Sequence, residues 1–150
     1  MLVEIFQKIG EDLKSSVAEQ KHGTRKLTIT LGPEKKKFKT PHLSIQLFRF
    51  GYDNQHKNYP VSQPADRSIY GFTFFILLNE SSYETGLELM ELICDHFDKK
   101  PFTQLNTGTK EYEIALSQME LSMEEINQFW IAQRTPHRPV LFFQARISEI

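Results

Sequence analysis

Residues 70–78 read YGFTFFILL, and the side chains of both alternating sets are mostly apolar. Successive side chains of a strand point to opposite faces of its sheet, so a strand of this composition is expected to be covered on both sides. The run is also far shorter than the roughly 20 apolar residues that a transmembrane helix requires. It therefore predicts the central strand of a sheet, here expected over 68–78.

Hydrophobic periodicity predicts the other elements. Apolar residues at helical spacing indicate helices, and two Ser-x-x-Glu capping boxes, Ser81–Glu84 and Ser122–Glu125, mark where two of them begin. Period-two alternation indicates strands. The fold class expected is α+β, with a mixed or antiparallel sheet of about four to five strands, an N-terminal helix, one long central helix and one short helix. The helices are expected over 2–20, 84–99 and 123–132, the strands over 26–31, 43–50, 68–78, 111–117 and 140–147, and a turn over 104–110.

Composition narrows the class of protein. The 150 residues carry 18 Lys and Arg against 19 Asp and Glu, and 39% are hydrophobic, which fits one domain spanning 1–150 with a sizeable core. The net charge of -1 gives no global attraction for nucleic acid. The single cysteine, Cys94, excludes an internal disulfide and a cysteine-based zinc site. Acidic residues near the N-terminus are atypical of a signal peptide, so a cytoplasmic protein without a membrane partner is expected.

No catalytic pattern stands out. The five histidines lack HExxH spacing, and phosphate-binding glycine loops and a G-x-S-x-G elbow are absent from the sequence. Cys94 falls on the apolar stripe of a predicted helix, where an inert buried thiol is expected. The sequence thus predicts no enzyme, and no catalytic, cofactor-binding or metal-binding residue. An enzyme or small-ligand domain remains an alternative that would require Asp95, His96 and His137 to converge.

Two oppositely charged segments allow two interpretations. A basic segment surrounds the first predicted hairpin and includes Lys35, Lys36 and Lys37, whereas Glu84, Glu88, Glu91, Asp95 and Asp98 make the central helix acidic. One interpretation is a solvated loop and a solvated helix face. The other is that opposite patches of neighbouring copies meet head to tail, and such contacts can close into a ring.

The phenylalanines suggest apolar surface on both faces of the sheet. Phe48 and Phe50 fall on one face of their strand, Phe72 and Phe74 on one face of theirs, and Phe142 on the secondary face of the last strand. Burying each side chain stabilises a fold by roughly 1.5–3 kcal/mol, so a monomer seldom leaves several exposed. Either the chain's own helices cover both faces or a partner chain covers one of them. Two helices of useful length and one short helix cover two faces poorly, so the helices are expected on one face and a partner is expected to cover part of the second face.

Three segments together have a familiar order: PHLSIQLFRFG over 41–51, the apolar strand 70–78 followed by the helix 84–97 with Lys100-Pro101, and EEINQFW over 124–130 followed by PHRPVLFFQAR over 136–146. This order resembles the tail-terminator or cap proteins of contractile injection systems, which are phage-tail-like particles. The closing segment carries most of the resemblance, although Val140 stands where the family usually has serine.

The resemblance implies a structural protein that forms a ring, expected to be six-fold, and caps the end of the inner tube and sheath. Its partners would be other copies of itself and the tube and sheath proteins, with no small-molecule substrate. Phe48, Arg49 and Phe50 would lie near a subunit contact, whereas Trp130, Arg134 and Arg138 would anchor the turn before the last strand. A tryptophan at such a helix end is more often simply a core residue, and Arg138 can simply bond helix-end carbonyls. The alternative function is a small adaptor or chaperone-like module that holds one partner through the loop 51–67 or an open sheet edge.

Overall fold

The computed structural model describes residues 1–19, 28–32, 42–52, 68–79, 83–133 and 138–150. Three helices and six strands lie within these ranges, and none of these helices is long and apolar enough to cross a membrane. The helices are α1 (Leu2–Glu19), α2 (Tyr83–Lys99) and α3 (Met123–Gln133), and the strands are β1 (Thr28–Leu31), β2 (His42–Tyr52), β3 (Ser68–Asn79), β4 (Phe102–Asn106), β5 (Glu111–Met119) and β6 (Val140–Glu149).

The strands form one mixed sheet in the order β1-β2-β3-β6-β5-β4. β1 pairs with β2 in parallel, and every other pair is antiparallel. β3 lies between β2 and β6, so the strand predicted to be central is paired on both edges. The α+β class with a mixed sheet is therefore confirmed.

The number of strands differs from the prediction of four to five. β4 occupies Phe102–Asn106, part of which was predicted as a turn, and it pairs with β5 from Phe102 opposite Ala115 to Asn106 opposite Glu111. The turn is confined to the residues that follow, where Gly108 adopts a positive φ of 85° and donates its backbone N–H to Asn106 Oδ1 at 2.7 Å. This left-handed conformation favours glycine and lets the two strands reverse direction.

The first face of the sheet carries the larger apolar core. Alternate residues of β3 and β6 meet the buried sides of α1 and α2 there. Phe74 is fully buried and stacks against Phe143, with ring centroids 5.4 Å apart, and Phe97 of α2 lies 4.5 Å from the same Phe143 ring. The buried residues that α1 and α2 contribute are Ile5, Ile9, Leu13, Val17, Leu89, Ile93 and Phe97.

The second face is covered by α3, contrary to the prediction that the helices would share one face. Phe75 and Phe142 lie on this face and are buried against Phe129 and Trp130 of α3. The rings of Phe75 and Phe129 are 4.9 Å apart, and those of Phe129 and Phe142 are 5.0 Å apart. A short helix therefore shields these phenylalanines within the chain itself. The expectation that a partner must cover Phe142 is wrong, because Phe129 and Trp130 of α3 already bury it.

Candidate interaction surface

Phe48 joins the second-face cluster because β2 is irregular at this point. The register between β2 and β3 shifts between Leu47 and Arg49, which leaves Phe48 as an extra residue of a bulge. Its ring lies 5.8 Å from that of Phe142 and 6.2 Å from that of Phe129. Phe48 is half-buried at the margin of the cluster under α3.

Arg49 follows Phe48 and reaches towards α3. Its Nη2 lies 3.5 Å from Oε2 of Glu125, and its guanidinium lies 5.3 Å from the centre of the Phe48 ring. The Arg49 and Glu125 side chains are both substantially exposed, so this ion pair contributes only about 0–1 kcal/mol to stability. The pair marks a charged position on the surface beside α3.

The outer side of α3 presents two large apolar side chains to solvent. Met123 is 74% exposed and Ile131 is 75% exposed. They are eight residues apart, which is about 80° around a helix of 3.6 residues per turn, and both contribute to its exposed surface. We call Arg49, Met123 and Ile131 the α3 surface.

Of the predicted interface residues, three lie around α3, one lies just before β6, and the others, or their side chains, fall outside the described part of the chain. Phe48, Arg49 and Trp130 are brought together around α3, but Trp130 is only 8% exposed and packs 5.1 Å from the Phe129 ring, as the core interpretation requires. Arg138 is half-buried and directly precedes Pro139, whose carbonyl accepts a hydrogen bond from Leu78 N at 3.0 Å. Outside the described residues or side chains lie Lys35, Lys36, Lys37, Arg134 and the side chain of Phe50.

One side of α2 is acidic, as the sequence predicted. Five carboxylate side chains on it are exposed, and their spacing of four, three, four and three residues puts them on one face, opposite the buried Leu89, Ile93 and Phe97. This acidic stripe consists of Glu84, Glu88, Glu91, Asp95 and Asp98. The basic segment containing Lys35 lies outside the described part of the chain.

The structure describes two of the three residues that the enzyme alternative requires. Asp95 is exposed and His96 is buried, and His137 falls outside the described residues. Burial, assisted by the nearby charge of Asp95, raises the pKa of the Cys94 thiol, which disfavours the reactive thiolate. Within the described ranges, no three residues among His, Cys, Asp and Glu are grouped to hold a metal ion.

A polar cleft that the sequence analysis did not anticipate lies between α1, the end of α2 and β4. It has a volume of about 200 Å³, and its polar lining includes Lys8, Asp12, His96, Lys100 and Thr103. Thr103 Oγ1 donates a hydrogen bond to Asp12 Oδ2 at 2.8 Å, and Lys8 Nζ lies 2.9 Å from Asp12 Oδ1. The sequence shows that Lys8 and Asp12 are close to each other, and that His96, Lys100 and Thr103 are, but it does not show that these two distant segments meet.

Two solved structures share this fold. The sheath/tube terminator of PVC, an extracellular contractile injection system, in its extended state aligns with a TM-score of 0.60 and 10% identity, over 93% of this chain and 56% of that one. The tube-terminating cap of the anti-feeding prophage aligns with a TM-score of 0.63 and 12% identity, over 100% of this chain and 55% of that one. No protein-family model matches the sequence, and no curated protein is significantly similar to it.

These likenesses confirm, at the level of the fold, the resemblance to contractile injection system terminators that the sequence pattern indicated. The chain spans just over half the length of the two caps it matches. At 10% and 12% identity the shared property is the course of the backbone, and a shared fold does not by itself transfer a function.

Proposed function

We propose that this protein is a structural terminator that caps the end of the inner tube and sheath of a contractile injection system. The observation that carries the proposal is the agreement of its fold, over 93% and 100% of its length, with two proteins described as terminators of such particles. The resemblance of three sequence segments to the same family was recognised from residue patterns, and it supports the same conclusion.

The proposed assembly is a ring of copies of this chain, with six-fold symmetry. A cap must match the symmetry of the tube end that it closes, and a ring forms when each copy presents two different, complementary surfaces. The acidic stripe of α2 is one such surface. The basic segment with Lys35, Lys36 and Lys37 supplies charge of the opposite sign in the same chain, and we assign it to the neighbouring copy's side of the contact.

The α3 surface is proposed as a second part of the subunit contact. Met123 and Ile131 are exposed apolar side chains that would lose contact with water on assembly, and about 25 cal/mol is gained for each Å² of apolar surface buried. Arg49 lies beside α3 through its contact with Glu125, where its guanidinium can form two parallel hydrogen bonds to a carboxylate of another copy.

Imaging of particles tests the proposal directly. The tube and sheath proteins of a contractile injection system would be co-expressed with and without the chain, and negative-stain electron microscopy would record particle ends and lengths. A terminator gives particles of uniform length that carry a cap at one end. Its omission should give tubes and sheaths of widely varying length.

Surface variants separate assembly from folding. Ile131→Asp should abolish capping, whereas Val3→Asp, a matched change at an exposed apolar residue of α1, should leave it intact. Likewise, Arg49→Glu should weaken capping more than Lys14→Glu does. Uniform particles in the absence of the chain would refute the terminator role. A defined one-to-one complex with a single partner would favour the adaptor function.

A further inference from the structure

The cleft between α1, the end of α2 and β4 has a net positive charge. Lys8 and Lys100 carry two positive charges against the single negative charge of Asp12, and the remaining described lining residues are neutral when His96 is unprotonated. Asp12 is already engaged on both oxygens, by Lys8 Nζ and by Thr103 Oγ1. Lys100, exposed where α2 has ended, therefore supplies positive charge that Asp12 does not neutralise within the cleft.

His96 is the buried polar group of this cleft. It is only 5% exposed, its ring packs 4.9 Å from that of Phe97, and its Nδ1 has no hydrogen-bond partner among the described residues. A buried polar atom left unpaired costs free energy, and such atoms in native proteins commonly mark a position where a ligand or water completes the site. Burial lowers the pKa of His96, the charge of Lys100 lowers it further, and Asp12 opposes the shift.

We propose that this cleft is a binding site for a single carboxylate group, which Lys100 and Lys8 hold beside the ring of His96. A carboxylate complements the net charge of the cleft, and a volume of about 200 Å³ accommodates the group with a short carbon chain. Phe97, Ile9 and Leu116 give the cleft an apolar lining against which that chain can pack. The site is independent of the terminator role, since it depends on the interior of one copy.

Binding should be linked to protonation of His96. A negative charge brought beside the ring favours the imidazolium and raises the pKa of His96. The carboxylate should therefore bind more tightly as the pH falls through the range in which His96 titrates. The charged groups that line the cleft beside this ring are Lys8 and Asp12 of α1 and Lys100.

Sodium acetate is the probe for the first arm of the experiment. It would be titrated into the full chain at constant ionic strength, set with sodium chloride, while the histidine ring signals are followed by NMR and the His96 signal is assigned with His96→Gln. We expect a saturable shift of the His96 signal and a higher His96 pKa in acetate. The His42 signal should stay unchanged, because this buried histidine does not line the cleft.

Two neighbouring lysines give a matched pair of variants. Lys100→Gln should weaken acetate binding by about tenfold, as expected for loss of one charged hydrogen bond. Lys99→Gln removes the same charge from the adjacent residue, which does not line the cleft, and should change the affinity by less than about twofold. Equal effects of the two variants, or equal shifts of His96 and His42, would overturn the proposal.

The second arm distinguishes the sources of the carboxylate. N-acetylglutamate amide imitates an acidic side chain of a protein partner, whereas acetate imitates a free acid. Saturable binding of both probes supports a site that accepts a side chain, and binding of acetate alone supports a site for a free carboxylic acid. Tighter binding of inorganic phosphate than of either probe, at the same ionic strength, would show that the carboxylate assignment is wrong.

Discussion

Trp130 and Ile131 are adjacent on α3, and their environments are opposite. Trp130 is 8% exposed and packs in the cluster that also contains Phe75 and Phe142, whereas Ile131 is 75% exposed. At the scale of single residues, this difference separates side chains that hold the fold together from those that are available to a partner.

Truncation of these two side chains should therefore have different consequences. Trp130→Ala is expected to lower the free energy of unfolding by about 3–5 kcal/mol, because it leaves a large cavity in the second-face cluster. Ile131→Ala should change it by less than about 0.5 kcal/mol. Urea unfolding monitored by circular dichroism measures both values. A Trp130→Ala protein of unchanged stability would place this side chain outside the core.

His96 should make stability depend on pH. Its pKa is lowered in the folded protein by burial, with a further contribution from Lys100, so the unfolded chain takes up a proton at a higher pH than the folded one. Stability is then fully present above the unfolded-state pKa of about 6.5 and is lost as the pH falls through the folded-state pKa.

The measurement is urea unfolding of the wild type and His96→Gln across this pH range. Carboxylates contribute to the pH dependence of both proteins, so the difference between them isolates His96. We expect the wild type to lose more stability on acidification than the variant. Parallel pH profiles would show that His96 has the same pKa in the folded and unfolded chains.

At the scale of elements, α3 begins where its capping box predicts. Ser122 Oγ accepts a hydrogen bond from Glu125 N at 3.2 Å and lies 3.2 Å from Glu125 Oε1. β4 shows the opposite case. It is a five-residue edge strand with no fully buried residue. Such a strand needs no regular alternation of apolar and polar residues, so its sequence gives a weak strand signal. Its pairing with β5 determines its conformation.

Ser122 should stabilise the start of α3, the helix that covers the second face of the sheet. Ser122→Ala is expected to destabilise the protein by about 1 kcal/mol, because Glu125 N loses its acceptor at the start of α3. Ser122→Asp should retain most of the stability, since its carboxylate can accept the same hydrogen bond. Thermal unfolding, with Trp130 fluorescence as a probe of α3 docking, tests both. Equal loss in the two variants would show that the hydroxyl has another role.

At the scale of the whole molecule, the charges offer a test of how copies associate. Opposite charges on neighbouring copies attract less as salt shortens the screening length from about 10 Å at 0.1 M to about 3 Å at 1 M. If the acidic stripe of α2 drives ring closure, mass photometry should show fewer rings at high salt. Assembly that is indifferent to salt would instead indicate contacts dominated by Met123 and Ile131.

Charge reversal on the stripe sharpens this test. Glu91→Lys and Asp95→Lys should each weaken ring formation at low salt, and the effect should diminish at high salt. Glu11→Lys makes the same charge change at an exposed residue of α1, outside the stripe, and serves as the control. If Glu11→Lys weakens the ring as much as the other two, net charge rather than the stripe governs assembly.

The sequence by itself determined the elements that have a strong periodic pattern and their local boundaries. The central strand β3, the amphipathic α1 and α2, and the start of α3 follow from the alternation of apolar residues and from one capping box, which are properties of neighbouring residues. The resemblance to terminators was also visible at this level, because it depends on the order of such segments.

Only the tertiary structure decided the placement of α3, the sixth strand and the polar cleft. α3 packs on the second face, so Phe75 and Phe142 are shielded within the chain, and the prediction of a covering partner is wrong for Phe142. Asp12 meets His96 and Thr103 although it is far from both in sequence. These features depend on contacts between segments that are distant in sequence. Local periodicity shows which residues of one segment are apolar, but it does not show which other segment they pack against.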